Sequence, residues 1–310
     1  MIILEATHPA TPPITMQRPA TFQSATLPVE HRDGLNMDPV EARSFGELFN
    51  ADYVNATPFP HIVIDEFLPT ELVQEILANF PTGERASDRV FNLGYGGEHK
   101  RQILPDDCSR FARDVFRFFN SRPVLQFLEG LTGIKGLLPD PYFDGGGFHE
   151  ISRGGRLGIH ADFRINERLN VQRRLNILIY LNENWEDDWK GQLELWSRNM
   201  KECVVKIPPL INRCVVFSTE SDSWHGHPDP LEIPEGRTRK SMALYYYTAS
   251  SAIYEETPNI SSRYVTRPSD SNEDKKQAWR FRREQYLKEW LPPVGYRALA
   301  RARRMFGRMF

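Results

Sequence analysis

The sequence predicts an α+β protein with a mainly β core. Apolar residues at helical spacing are confined to the first 131 residues and to the C-terminal end. From Pro141 the apolar period changes to two, the signature of strands with one buried face. Seven short strand-like runs then follow, cut by Gly and Pro turns, and many short strands after two helices suggest a β-sandwich or jelly roll.

The elements follow in order. Residues 1–40 hold six prolines and little apolar periodicity, so residues 1–43 read as a disordered Pro-rich leader, with order beginning near Ser44. PFPHIVIDEFL, 58–68, carries β-branched Ile62, Val63 and Ile64 and suits a strand. TELVQEILANF, 70–80, places Leu72, Val73, Ile76, Leu77 and Phe80 at helical spacing, and Pro81 stops it. A second helix is expected from Ser109 to about Leu131, with Phe111, Val115, Phe118 and Phe119 as its core face. Strands are expected over 147–152, 156–162, 174–181, 192–196, 202–207, 213–218 and 240–248. Turns fall at 145–147, 154–155, 190–191, 208–209 and 234–236. A domain over 44–250 and a C-terminal extension over 251–310 (loop, helix, basic tail) complete the reading.

With 310 residues, 40% of them hydrophobic, the chain can bury a sizeable core. Its net charge of −2 is unevenly spread. Residues 275–310 hold 11 Lys/Arg and two acids, +9, which leaves −11 on the rest. In the tail, Ala298, Leu299, Ala302, Met305, Phe306 and Met309 form an apolar stripe beside the arginines. Trp279, Tyr286 and Trp290 upstream look like residues packing back on the body, so the tail is expected to dock on its own acidic domain. The alternative is an anionic membrane surface. No nucleic-acid reading module accompanies the charge. Cys108, Cys203 and Cys214 are too few and too scattered for a disulfide framework or zinc knuckle. With no transmembrane run and no basic, apolar leader, the expected location is the cytoplasm.

The chemistry-bearing run is GIHADF, 158–163. On a strand, residues i and i+2 share a face, so His160 and Asp162 can aim at one point. Two imidazoles and one carboxylate on one side, with other positions open, form the Fe(II) facial site. Zinc accepts the same donors, which keeps a hydrolase open as an alternative. A third donor comes from SDSWHGHPDP, where His225 and His227 share a face and compete for the role. Downstream, GRTRKSMALYYYT supplies Arg237 and Arg239. RRLNILIYLN, 173–182, alternates cleanly: Leu175, Ile177, Ile179 and Leu181 on one face, Asn176, Leu178 and Tyr180 on the other.

HxD, the YLN strand, the Gly-x-Leu-x-Leu strand, a distal His and Arg-x-Ser occur here in order. This order resembles the prolyl-4-hydroxylase-like branch of the Fe(II)/2-oxoglutarate dioxygenases, over roughly residues 58–249. The resemblance implies a double-stranded β-helix (jelly roll), and Fe(II), 2-oxoglutarate and O2, with ascorbate as an optional accessory. It also implies iron ligands at His160, Asp162 and His225, the last preferred over His227 because the ligand comes first in the pattern. Arg239, two residues before Ser241, matches the basic residue that pairs with the distal (C5) carboxylate of 2-oxoglutarate. A guanidinium can hold a carboxylate bidentately. Ser241, Tyr180 and Asn176 would support it. Related halogenases lack the carboxylate at Asp162, so its presence implies hydroxylation, with release of succinate and CO2, of an amino-acid, peptidyl or small-molecule substrate.

Two departures stand out. The family often has a tyrosine about nine residues before HxD, where this chain has Ile151, and His149 on the same face is a candidate substitute. The 14 residues from His225 to Arg239 include the insert PDPLEIPEG, expected near the mouth of the site. A catalytically silent β-helix scaffold is the remaining alternative reading.

Overall fold

The computed structural model describes residues 22–166, 168–249 and 261–290. Ordered structure starts earlier than Ser44. Strand β1 (Phe22–Ser24) pairs in parallel with β2 (His61–Asp65), the strand expected from the Ile-Val-Ile run. Asp38 then caps helix α1 (Pro39–Glu47) by accepting from the Val40 and Glu41 amides at 2.9 Å. The leader boundary at residue 43 therefore falls inside a helix.

After the short helix α2 (Asn50–Val54) and strand β2 comes α3 (Thr70–Ala78), which buries Leu72, Val73 and Ile76 as its spacing requires. Between α3 and the next helix, where the sequence shows no strand pattern, lies a hairpin, β3 (Arg89–Phe91) and β4 (Glu98–Ile103). The expected long helix is two: α4 (Arg110–Phe119), capped by Ser109, and α5 (Arg122–Thr132). Pro123 sits in the first turn of α5, where its missing amide costs nothing, and in a continuous helix it would break the ladder.

The short β5 (Leu138–Pro139) leads to β6 (Gly147–Ala161), one 15-residue strand where two were expected. Gly154-Gly155 bends it without reversing it. Residues 147–151 pair with β13 (Arg239–Ala249), and 157–160 with β12 (His225–His227). A strand that passes from one sheet to another at a bend makes a corner. The sheet on one side runs β1-β2-β11-β8-β13-β6-β4-β3, through β8 (Val171–Tyr180) and β11 (Cys214–Ser218). The other side runs β6-β12-β9-β10, through β9 (Leu193–Trp196) and β10 (Cys203–Ile207). The short β7 (Ile165–Asn166) pairs with β8.

The result is a mainly β, curled sheet with helices on one outer face, consistent with a jelly roll. Leu175, Ile177 and Ile179 of β8 pack with Phe116, Phe127 and Leu131 of the helices in the main core, as the alternation predicts. Asn176, Leu178 and Tyr180 turn to the inner face, between the two sheets.

The C-terminal extension is built into the body. Strand β14 (Arg263–Tyr264) pairs with the end of β6 at Ala161 and His160, and helix α6 (Asn272–Trp290) follows. Ala278 is buried, and Phe281 packs against Tyr264 at 5.1 Å between ring centroids. Trp279 does not pack back: it is 55% exposed, with Arg283 stacked on it. The side chains of Tyr286 and Trp290, and the tail 291–310 expected to dock, lie outside the described residues. No described helix is long and apolar enough to cross a membrane.

Candidate active site

His160 lies near the end of β6 and His225 begins β12, directly opposite it in register. The strands approach closely at Gly226, which has no side chain to hold them apart. A Cβ on Gly226 would stand 2.6 Å from the Gly158 carbonyl oxygen and 2.8 Å from that of Leu157. Gly226→Ala must therefore push β12 off β6. Overpacking of this kind costs about 1–3 kcal/mol, so the variant should melt earlier and bind iron more weakly in a metal titration.

Three buried donors converge. His160 Nε2 lies 3.6 Å from Asp162 Oδ1, and His225 Nε2 lies 3.5 Å from Asp162 Oδ2. Their ligand atoms all lie within 4.8 Å of one another, and this is the one such His/Cys/Asp/Glu group among the described residues. Each imidazole has its other nitrogen tied down: His160 Nδ1 to the Gly158 carbonyl at 2.9 Å, and His225 Nδ1 to the Ser223 carbonyl at 2.8 Å. A carbonyl only accepts, so the proton is on Nδ1 and the Nε2 lone pair is free toward the shared point. The donor set and its outer hydrogen bonds fit a divalent metal.

Asp162 is held from behind. Its Oδ2 accepts from Asn176 Nδ2 at 2.7 Å and lies 3.1 Å from Arg173 Nη2. Arg173 in turn donates twice to Asn176 Oδ1 and lies flat on Tyr245. Burial alone would raise the carboxyl's pKa. Arg173 and the two imidazoles outweigh it and hold Asp162 well below the usual carboxylate range. Asn176, expected to line a cosubstrate pocket, lines the cavity beside these donors, and its hydrogen bonds serve Asp162.

These groups wall a cavity of about 190 Å³ between the sheets. Arg239 reaches it from β13, with Ser241 two residues on. Arg239 is 4% exposed; its Nε donates to the Gly191 carbonyl at 2.9 Å and its Nη2 to the Tyr180 hydroxyl at 3.4 Å. No carboxylate among the described residues lies within ion-pair distance, so a buried guanidinium waits for an anion, and burial lowers its pKa. Arg237 is exposed and donates to the Glu183 carbonyl on the outside. His149 and His227 also line the cavity. His149 is satisfied through Nε2 by the Gly145 carbonyl, while the Nδ1 of His227 is buried without a partner. The insert after His227 packs Leu231 and Ile233 on Ile151 and Trp189, buttressing this wall.

Three contributors escape the sequence patterns. Arg173 sits on the wrong parity for the inner face, but β8 and β13 shift register between Tyr246 and Tyr247, passing over Arg174 and turning Arg173 inward. Lys100 comes from the unforeseen hairpin, and Tyr264, from the C-terminal extension, stacks on His160 at 5.4 Å.

Burial also sets a pH dependence. His225 is pushed down to about 4, chiefly by burial and then by the neighbouring His160. His149 and His227 are likewise held well below the usual histidine range by burial, with Lys100 and Arg239 adding to it. In the unfolded chain each titrates near 6.5. Between pH 6.5 and 4 the unfolded state therefore takes up protons that the folded state refuses, and stability, full above 6.5, drains as pH falls. The metal-free protein should melt progressively earlier from pH 7 to pH 4.5, and His227→Gln should flatten that slope.

Comparison with known proteins places this geometry. Residues 146–247 match the model of the 2OG-Fe(II) oxygenase superfamily, a stretch that contains His160, Asp162, His225 and Arg239. That segment is a 2OG-Fe(II) oxygenase domain, and the protein is a 2-oxoglutarate-dependent dioxygenase whose cofactors are Fe(II), 2-oxoglutarate and O2. No curated protein matches the chain. Among solved structures it is similar to a prolyl hydroxylase from Trichoplax adhaerens in complex with a hypoxia inducible factor peptide fragment, at 19% identity over 68% of this chain and 94% of that one, TM-score 0.47. A prolyl-4-hydroxylase from Pseudomonas putida aligns at 19% identity over 66% and 100%, TM-score 0.47. HygX from Streptomyces hygroscopicus, with nickel, 2-oxoglutarate and hygromycin B bound, aligns at 10% identity over 65% and 92%, TM-score 0.41.

Proposed function

We propose that the protein is a hydroxylase of an amino-acid, peptidyl or small-molecule substrate. In this reading His160, Asp162 and His225 hold Fe(II), and Arg239 holds the distal carboxylate of 2-oxoglutarate with Tyr180 and Ser241. The observation that carries it is one cavity with a buried three-donor set at one side and an acid-free, buried guanidinium at the other.

When bound, the iron and keto acid supply the oxidising power, and the cosubstrate leaves as succinate and CO2. The chain's own groups bind, orient and exclude. The Gly158 and Ser223 carbonyls fix both imidazoles in the ligating tautomer. Arg173 and Asn176 keep Asp162 ionised and fixed in place. Phe217, edge-on to His225 at 4.7 Å, and Tyr264, on His160, keep water from the donor atoms. The β3–β4 hairpin and the strand bearing Tyr264 border the same cavity, so substrate choice is assigned to them.

A screen of succinate formation against amino acids, peptides and cell extract tests this function. A compound class that raises succinate output with Fe(II), 2-oxoglutarate and O2, and leaves as its own oxygenated product, supports it. Release of a hydrolysis product with zinc and without 2-oxoglutarate would replace it with a hydrolase.

A further inference from the structure

Lys100 is a cation the proposed site does not use. It projects from β4 into the cavity, over the ring of Phe91 at 5.4 Å, and no described residue offers it a hydrogen bond or ion pair. The cavity wall then carries three cations, Lys100, Arg173 and Arg239, against one carboxylate, Asp162. Arg173 is spent on Asp162 and Asn176. A half-buried ammonium beside two guanidiniums is unfavourable without an anion, and burial followed by those neighbours pushes its pKa down to about 8.

Register fixes where that anion belongs. Lys100 and Arg239 both pair with Ile151, from opposite sides, so their backbones stand two strands, about 10 Å, apart. They flank the cavity and do not converge on one carboxylate. Lys100 lines the same cavity as His160, Asp162 and His225 and lies across Ile151 from Arg239, which leaves it the end of the cosubstrate that Arg239 does not hold. The cavity, about 190 Å³, is smaller than the roughly 300–1,000 Å³ of pockets for drug-sized ligands. The anion that fills it is therefore the small cosubstrate.

We propose that Lys100 anchors the metal-side (C1) carboxylate of 2-oxoglutarate, at the opposite end of the cosubstrate from Arg239. This rests on the function proposed above. The test is anaerobic calorimetric titration of Fe(II)-loaded protein with 2-oxoglutarate and with 2-oxobutyrate, which keeps the C1 carboxylate but lacks the distal one. Losing one charge-assisted contact should weaken binding about 10- to 100-fold. Lys100→Met should weaken both keto acids by that factor and leave iron affinity unchanged, and Lys100→Arg should recover most of the loss. Arg239→Met should weaken 2-oxoglutarate alone. Equal binding of both keto acids by wild type and Lys100→Met overturns the proposal. So does a loss confined to 2-oxoglutarate, which would put Lys100 at the distal end, or a loss of iron, which would make it part of the metal site. Wild type that binds neither keto acid removes the proposed function as well.

Discussion

Arg239→Ala raises the 2-oxoglutarate concentration for half-maximal turnover by two to three orders of magnitude. The reason is the state of this side chain before the cosubstrate arrives. Arg239 is 4% exposed, bonded only to a carbonyl and a tyrosine hydroxyl, and free of any described carboxylate. Removing one member of a buried ion pair costs about 3–5 kcal/mol, and each 1.36 kcal/mol is tenfold. Steady-state succinate formation against 2-oxoglutarate concentration reads this directly. Arg237→Ala is the internal control. It lies on the outside, against Trp189 and the Glu183 carbonyl, and its loss should leave the cosubstrate requirement within about twofold, as for surface changes worth under ~0.5 kcal/mol. A cosubstrate requirement that is the same in Arg239→Ala and wild type would remove Arg239 from the site.

The second large effect concerns the third donor. His225→Ala should lower iron affinity by more than the ~10- to 100-fold typical of losing an outer partner of a ligand, and turnover should vanish with it. The far-UV circular dichroism should hold, because β12 is pinned on both sides, to β6 and to β9. His227→Ala should retain iron. His227 shares the strand, but His225 is the one opposite His160 and within 3.5 Å of Asp162. Metal content after anaerobic loading separates the two. Retained iron in His225→Ala with loss in His227→Ala would exchange their roles.

Much of this site was legible because strand parity is a strong rule. The two-residue spacing of His160 and Asp162, the alternation of RRLNILIYLN and the placement of Arg239 before Ser241 all depend only on which face a side chain takes. The sheet confirms those faces, with Ser241 between Tyr180 and His149 in register. What parity cannot see is where it breaks. Arg173 reaches Asp162 only because a bulge passes over Arg174. Gly154-Gly155 reads as a turn in sequence, yet here it bends one strand from one sheet to the other. Lys100 sits in a polar hairpin, EHKRQI, with no apolar alternation to betray a strand. Tyr264 is separated from His160 by about a hundred residues, and nothing local marks its return to pair with β6. Ordered structure from Phe22 was hidden for a similar reason: β1 is three residues long and owes its place to β2.

The central claim is that these three side chains present iron to 2-oxoglutarate in one cavity. Its most direct measurement is the visible charge-transfer absorption that appears when a 2-keto acid chelates Fe(II), recorded anaerobically as 2-oxoglutarate is titrated into the iron-loaded protein. The account predicts a band that saturates at one cosubstrate per chain in wild type, is absent from Asp162→Ala and His225→Ala, and persists in His227→Ala. A wild-type protein that takes up Fe(II) and develops no band, or a His225→Ala protein that develops one, would contradict it.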